Sequence, residues 1–305
     1  MSVFLFPGQG SQAVGMGRDL YDAHSSARDL YDQAVELLGF DLRQISFEGP
    51  EEALRQTEIT QPALFVHSVA IDALLKADGL EPEATAGHSL GEFSALVSAG
   101  AISFEDALQV VKVRGQEMAN AGQTAPGAMA AIIGADQGQL EQLLQRAAAA
   151  GTIVAANLNA PGQVVLSGET AAIERAVAIA GGLGIRRAIK LNVSGAFHSP
   201  LMAPARPGLE AALSAITLND AAVPVYQNVS AQPVTDAETL RSNLLAQLEQ
   251  PVLWEATIRQ MSGDGYGEFY EVGSGKILQG LNRRIIPDAV TTSVNSAAIL
   301  DQLNV

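Results

Sequence analysis

The pentapeptide Gly87-His88-Ser89-Leu90-Gly91 constrains this chain more than any other stretch. It reads Gly-x-Ser-x-Gly. It falls where a strand-like run, Ala84-Thr85-Ala86, gives way to a helix-like run from Leu90 to Ala99. A serine on a sharp strand-to-helix turn is pushed out of the backbone, and small flanking residues let a substrate approach. The same turn sets the serine at a helix N-terminus, where free N–H groups can hold a developing oxyanion. Gly, Ser and Ala are common enough to produce the pentapeptide by chance, so its strand–turn–helix setting is what points to a nucleophile elbow.

Composition narrows the chemistry that such an elbow can serve. The chain has no cysteine, which excludes disulfides, thiolate metal sites and a thiol nucleophile. Serine becomes the main nucleophile. Only four histidines are present and no His-Glu-x-x-His occurs, so no metal site is expected. Apolar residues make up 48% of the chain and charged ones 17%, a balance that builds a large core. No apolar run of about 18 residues is present, and Met1 to Pro7 lacks the basic start of a signal peptide. A cytoplasmic enzyme is expected, without membrane contact. The net charge of −15 argues against nucleic-acid binding.

Hydrophobic spacing divides the chain. Val3 to Phe6 reads as a first buried strand, ending at the Gly- and amide-rich loop Pro7 to Gln12. Asp19 to Leu38 has helical spacing. A second helix is expected from Thr60, as N-cap, to Lys76, with Pro62 just inside its start. A third opens at Ser103 and runs to Met118. Between Gly127 and Val193 the order is strand, helix, strand, strand, helix, strand, which is that of a ferredoxin-like unit. The reading is therefore α/β. A small ferredoxin-like domain at 126–193 is inserted in a larger domain made of 1–125 and 194–305. The larger part resumes with a helix after Pro200, a strand at Val223 to Val229, helices from Leu240 to Ile258, a strand at Phe269 to Val272 and a last strand–helix pair.

A serine hydroxyl needs a base. His88 neighbours Ser89 on a tight turn and points elsewhere, which suits a structural hydrogen bond beneath the elbow. His67 lies in an apolar helix, and His24 among polar residues. His198 lies in the loop Ser194-Gly195-Ala196-Phe197-His198-Ser199-Pro200, after the strand that closes the small unit, and loops of that kind carry function. It is the favoured base.

Several motifs then occur in a fixed order. They are Phe6-Pro7-Gly8-Gln9-Gly10-Ser11-Gln12, Gln61-Pro62-Ala63, Gly87 to Glu92, Arg114-Gly115, Gly195 to Ser199, and Gln247-Leu248 with Pro251-Val252. Together they resemble the malonyl-CoA:acyl carrier protein transacylases of bacterial fatty acid synthesis, over nearly the whole length. The resemblance implies an α/β-hydrolase-like large domain with a parallel sheet core and a ferredoxin-like insert. It implies Ser89 as nucleophile and His198 as base, oriented by a backbone carbonyl at Gln247 in place of a carboxylate. It implies an oxyanion hole from the N–H groups of Gln9 and Leu90. Arg114 corresponds to the arginine that binds the malonyl carboxylate, and Gln61 to an amide lining that pocket. A guanidinium grips a carboxylate through two parallel hydrogen bonds, and acetyl groups would leave it unpaired.

The function so implied is ping-pong transfer from malonyl-CoA to the phosphopantetheine thiol of acyl carrier protein. The enzyme would be a monomer with no bound cofactor. Carrier proteins are acidic, so docking on this acidic chain requires local basic clusters. Arg186, Arg187 and Lys190, with Lys276, Arg283 and Arg284, supply the richest ones. Phe197 before His198 resembles malonyl-selecting versions, although one methylene is worth only about 1–3 kcal/mol of selectivity. Two alternatives stay open. One is a trans-acting acyltransferase serving a polyketide carrier. The other is a serine (thio)esterase, for which no acid between serine and histidine can be identified.

Overall fold

A computed structural model describes residues 2–303. Ten strands among those residues, numbered in chain order, form two sheets. The first sheet is centred on β1 (Ser2–Phe6), where Val3, Phe4, Leu5 and Phe6 are fully buried. A continuous apolar run of this kind belongs to a strand covered on both faces. β1 pairs in parallel with β2 (Ala84–Gly87) on one side and β9 (Glu268–Val272) on the other. β7 (Val225–Tyr226) extends the sheet beyond β2, and β10 (Val290–Val294) extends it beyond β9, both in parallel. Only β8 (Pro233–Val234), at the edge, runs antiparallel.

The chain winds from β1 toward β2 and β7, then returns to the opposite side for β9 and β10. The winding reverses at β1, and in such sheets a crevice opens at the carboxyl ends of the strands at that point. Register finishes the placement. Phe6 is opposite Gly87, so the loop after β1 and the turn after β2 emerge side by side.

The second sheet is antiparallel throughout, in the order β4 (Ile153–Ala160), β5 (Gln163–Glu169), β3 (Gly127–Ile133), β6 (Arg187–Lys190). Helices Gln137–Ala147 and Thr170–Ala180 supply Leu143 and Ile173 to a separate core with Ala130, Ile132 and Leu166. The second sheet is tied to the rest of the chain by backbone pairing of β4 with the segment around Val252. Leu158 N–H donates to Val252 O at 2.9 Å, and Val252 N–H to Ala156 O at 2.8 Å. Arg284 adds a strap, donating to Gln163 Oε1 at 2.6 Å and Pro161 O at 2.9 Å.

Several elements differ from the sequence reading. The helix expected from Thr60 begins earlier and spans Thr57–Ala77, so Pro62 lies in its interior. Thr60 does not cap it. Its hydroxyl turns back to donate to Leu54 O at 2.5 Å, and the first helical bonds close on Gln56 O instead. Asp19 to Leu38 is broken at His24, whose extended backbone separates Arg18–Ala23 from Ser25–Leu38. The strand expected at Val223 to Val229 shrinks to Val225–Tyr226, because Gln227 and Asn228 leave the ladder to bond side chains and loops. The strand expected to reach Val193 is confined to Arg187–Lys190. Among the described residues no helix is long and apolar enough to cross a membrane.

Candidate active site

Three glycines bring the backbone segments of the site together. A Cβ on Gly87 would lie 1.9 Å from Gly91 C, and one on Gly91 would lie 2.1 Å from Phe6 O. One on Gly8 would lie 2.3 Å from His88 O. The loop after β1 and the turn after β2 therefore touch backbone to backbone, a distance only glycine permits. Within that turn Ser89 has φ 53°, a left-handed conformation costing of order 1–3 kcal/mol for a residue with a Cβ. Asn228 holds it there. Its Oδ1 accepts Ser89 N–H at 2.7 Å, and its Nδ2 donates to Gly87 O at 2.7 Å.

The geometry settles which histidine meets the serine. His198 Nε2 is 2.8 Å from Ser89 Oγ. His198 Nδ1 is 2.7 Å from Gln247 O, and a carbonyl can only accept, so Nδ1 carries the proton and Nε2 is left as acceptor for the serine hydroxyl. Burial, and secondly the Arg114 cation, push the His198 imidazole down to about 3, which keeps it neutral. His198 also has a positive φ, 56°. The other three histidines lie elsewhere. His88 bonds Asn159 Oδ1 at 2.8 Å beneath the elbow. His67 is buried against the Tyr31 hydroxyl at 3.4 Å, and His24 sits between two helices.

Arg114 stands on the far side of Ser89, on helix Phe104–Thr124, with a relative exposure of only 1%. Its Nη1 donates to Gln61 Oε1 at 2.7 Å, and its Nη2 to Gln247 Oε1 at 2.8 Å and Ser89 Oγ at 3.1 Å. Its Nε has no partner among the described residues. Burial lowers the guanidinium to about 10, which leaves it protonated at neutral pH. The N–H groups of Gln9 and Leu90 have no acceptor among the described residues, and both residues line the cavity. That cavity, about 180 Å³, is walled by Met118, Met129, Phe197 and Leu278 and reaches from Arg114 to the surface. No cluster of metal-ligating side chains occurs among the described residues.

The basic residues proposed for docking lie apart from this centre. Arg186, Arg187, Lys190, Lys276, Arg283 and Arg284 are exposed. Lys190 pairs with Glu174 at 2.7 Å. Lys276 directly precedes Ile277 of the cavity wall, and Arg187 shares a cross-strand row with Gln163, also in that wall.

Two buried residues escaped the sequence reading. Asn228 lay inside an expected strand, and nothing in its neighbourhood marks it. Glu92 is the charged residue that ends the elbow motif, on the helix Gly91–Ser98, and is 1% exposed. A lone acid in a run otherwise made for a buried helix was the available signal.

A serine hydroxyl, a neutral imidazole that accepts its proton, free N–H groups on the cavity wall and a buried cation define an enzyme of serine-dependent acyl transfer. The chain belongs to the acyl transferase domain family, whose model matches residues 3–300. It is 46% identical over 293 residues to the malonyl CoA-acyl carrier protein transacylase of Bacillus subtilis, covering 94% of this chain and 92% of that one. The crystal structure of an acyl carrier protein S-malonyltransferase from Vibrio cholerae superposes with a TM-score of 0.94 at 41% identity, covering 99% of each chain. A malonyl-transacylase solved in complex with its type II polyketide acyl-carrier protein gives 0.95 at 39% identity, covering 99% of this chain and 98% of that one.

Proposed function

We propose that this chain transfers a malonyl group from malonyl-CoA to the phosphopantetheine thiol of an acyl carrier protein, in fatty acid synthesis. It does so through a malonyl ester on Ser89, without a cofactor. The observation that carries the reading is the buried Arg114 guanidinium, 3.1 Å from the Ser89 hydroxyl. A cation at that depth suits an acyl group with a carboxylate at its far end.

In the first half-reaction Ser89 Oγ attacks the thioester carbonyl and its proton passes to His198 Nε2. The N–H groups of Gln9 and Leu90 receive the oxyanion. The C–S bond breaks, and the proton leaves with the CoA thiolate. In the second, His198 takes the proton of the carrier thiol, sulfur attacks the ester, and Ser89 recovers its proton. The malonyl carboxylate also neutralises Arg114, one of the two main causes that depress His198, so the correct acyl group strengthens its own base. Gln61 completes the acyl pocket beside Arg114.

The same geometry explains preference for a thiol over water. Among the described residues no carboxylate backs His198; its partner is the carbonyl of Gln247. An imidazolium is therefore poorly stabilised, and the base is weak. A thiol near pKa 8.5 needs little help, whereas water, a far weaker acid, needs much. This argues for transferase over esterase. A polyketide carrier remains the second reading, favoured by the relative solved with one.

The finer architecture forms part of this proposal. We read 1–125 and 194–305 as an α/β-hydrolase-like domain and 126–193 as a ferredoxin-like insert, in a monomeric cytoplasmic protein. The carrier docks on Arg186, Arg187, Lys190 and Lys276, of which Lys276 and Arg187 neighbour residues of the cavity wall. Intact-mass analysis after mixing with malonyl-CoA, acetyl-CoA and methylmalonyl-CoA separately tests the function. A long-lived malonyl adduct, absent in Ser89→Ala, is expected. Rapid hydrolysis with no adduct would overturn the transferase reading.

A further inference from the structure

Glu92 is a buried carboxylate that the proposed reaction does not use. Its Oε1 accepts the N–H of Asn228 at 2.5 Å, and its Oε2 accepts from Gln247 Nε2. Both oxygens thus face donors, the pattern of an ionised carboxylate. Burial pushes its carboxyl up to about 8 even against these donors and the Arg114 cation; it is the geometry, with a donor on each oxygen, that assigns the ionised form.

Gln247 lies between Glu92 and Arg114 and is fully buried. Its Nε2 donates to Glu92 and, at 3.0 Å, to Ser89 O; its Oε1 accepts from Arg114 Nη2 at 2.8 Å. An amide has one donating and one accepting end. Reversed, it would set its NH₂ group against the guanidinium and its oxygen against the carboxylate and the Ser89 carbonyl. Only the orientation with the nitrogen toward Glu92 satisfies all these groups.

We propose that Glu92 is a positioning residue that fixes the polarity of the Gln247 amide and holds the counter-charge of Arg114 one amide away from it. The guanidinium is thereby balanced without a carboxylate bonded to it directly. Its neutral partners Gln61, Gln247 and Ser89 leave its charge to be matched by the carboxylate of the incoming acyl group. The inference rests on the malonyl-transfer reading above. A merely structural role, holding the elbow through the Asn228 backbone, would affect every acyl donor alike. Glu92 acting through Arg114 affects malonyl and spares acetyl, which makes no use of the cation.

The test compares rates of Ser89 acylation by malonyl-CoA and by acetyl-CoA, read by quenched intact mass. The wild type, Glu92→Gln and Glu92→Asp are used, with thermal unfolding as the check on folding. Glu92→Gln keeps the size and removes the charge, and its own NH₂ group confronts one of the two donors. The malonyl-to-acetyl preference is expected to fall about tenfold or more, equivalent to about 1.4 kcal/mol or more. Glu92→Asp retains the charge and is expected to keep the preference within about threefold, whatever the loss in both rates. An unchanged preference in folded Glu92→Gln would overturn the proposal. If Glu92→Gln does not fold, Glu92→Ala takes its place, since it removes the charge and leaves room for water at the two donors: a preference lowered about tenfold supports the role, and an unchanged one overturns it. Absence of any malonyl adduct in the wild type would instead count against the malonyl-transfer reading itself.

Discussion

Asn228→Ala offers the sharpest test of how the nucleophile is held. The side chain closes two bonds of 2.7 Å, one to the N–H of Ser89 and one to the carbonyl of Gly87. Both lie at the base of the elbow, and Asn228 is fully buried. Truncation leaves two buried backbone groups unpaired, at about 1–3 kcal/mol each, or about 2–6 kcal/mol together. That is a large share of a typical total of about 5–15 kcal/mol. Part is recovered if Ser89 relaxes from φ 53°, which releases strain of order 1–3 kcal/mol. Relaxation moves Oγ away from His198, and a displacement of about 1 Å can cost about 100-fold in rate. Stability and activity thus trade against each other in this variant, and both cannot survive. Guanidinium unfolding measures the first, and the rate of malonyl capture on Ser89 the second. A variant within about 0.5 kcal/mol and about twofold of the wild type in both would refute the reasoning.

The pH dependence of kcat/KM, which reports the free enzyme, follows from His198. The base must be neutral, so activity is held above its pKa and lost as pH falls through it. With that pKa lowered to about 3, the acid limb is expected well below the ordinary histidine value of about 6.5. A limb centred at or above that value contradicts the burial and charge argument. For docking, Arg186→Glu with Arg187→Glu is expected to slow transfer to the carrier while sparing acylation by malonyl-CoA; equal loss in both halves, with the fold intact, rejects the role.

What the sequence disclosed about this site follows a physical pattern. The elbow was legible because its constraint is local. Gly87 and Gly91 touch backbone at 1.9 and 2.1 Å, and that leaves a mark in residue type. The buried strand β1 was legible as a continuous apolar run. His198 was reachable because few histidines competed and its loop follows the small sheet. Asn228 and Glu92 were not reached, since their importance arises from partners more than a hundred positions away, and an amide or acid carries no sign of that distance. The start of helix Thr57–Ala77 was misplaced because Thr60 and Pro62 are good starting residues by local preference. Tertiary packing overrode that preference and drew the Thr60 hydroxyl back to Leu54 O. The roles implied for Gln61, Arg114 and Gln247 came from the resemblance, and no spacing rule would have singled them out.

The glycine contacts around the elbow also bear on anyone hoping to retune this protein. Where backbones already meet, there is nothing to trim and no room to add. Met118 and Phe197 are different, since they wall the acyl end with removable atoms. Bulkier acyl groups would have to be accommodated by shaving those two side chains, with the floor of the cleft left alone.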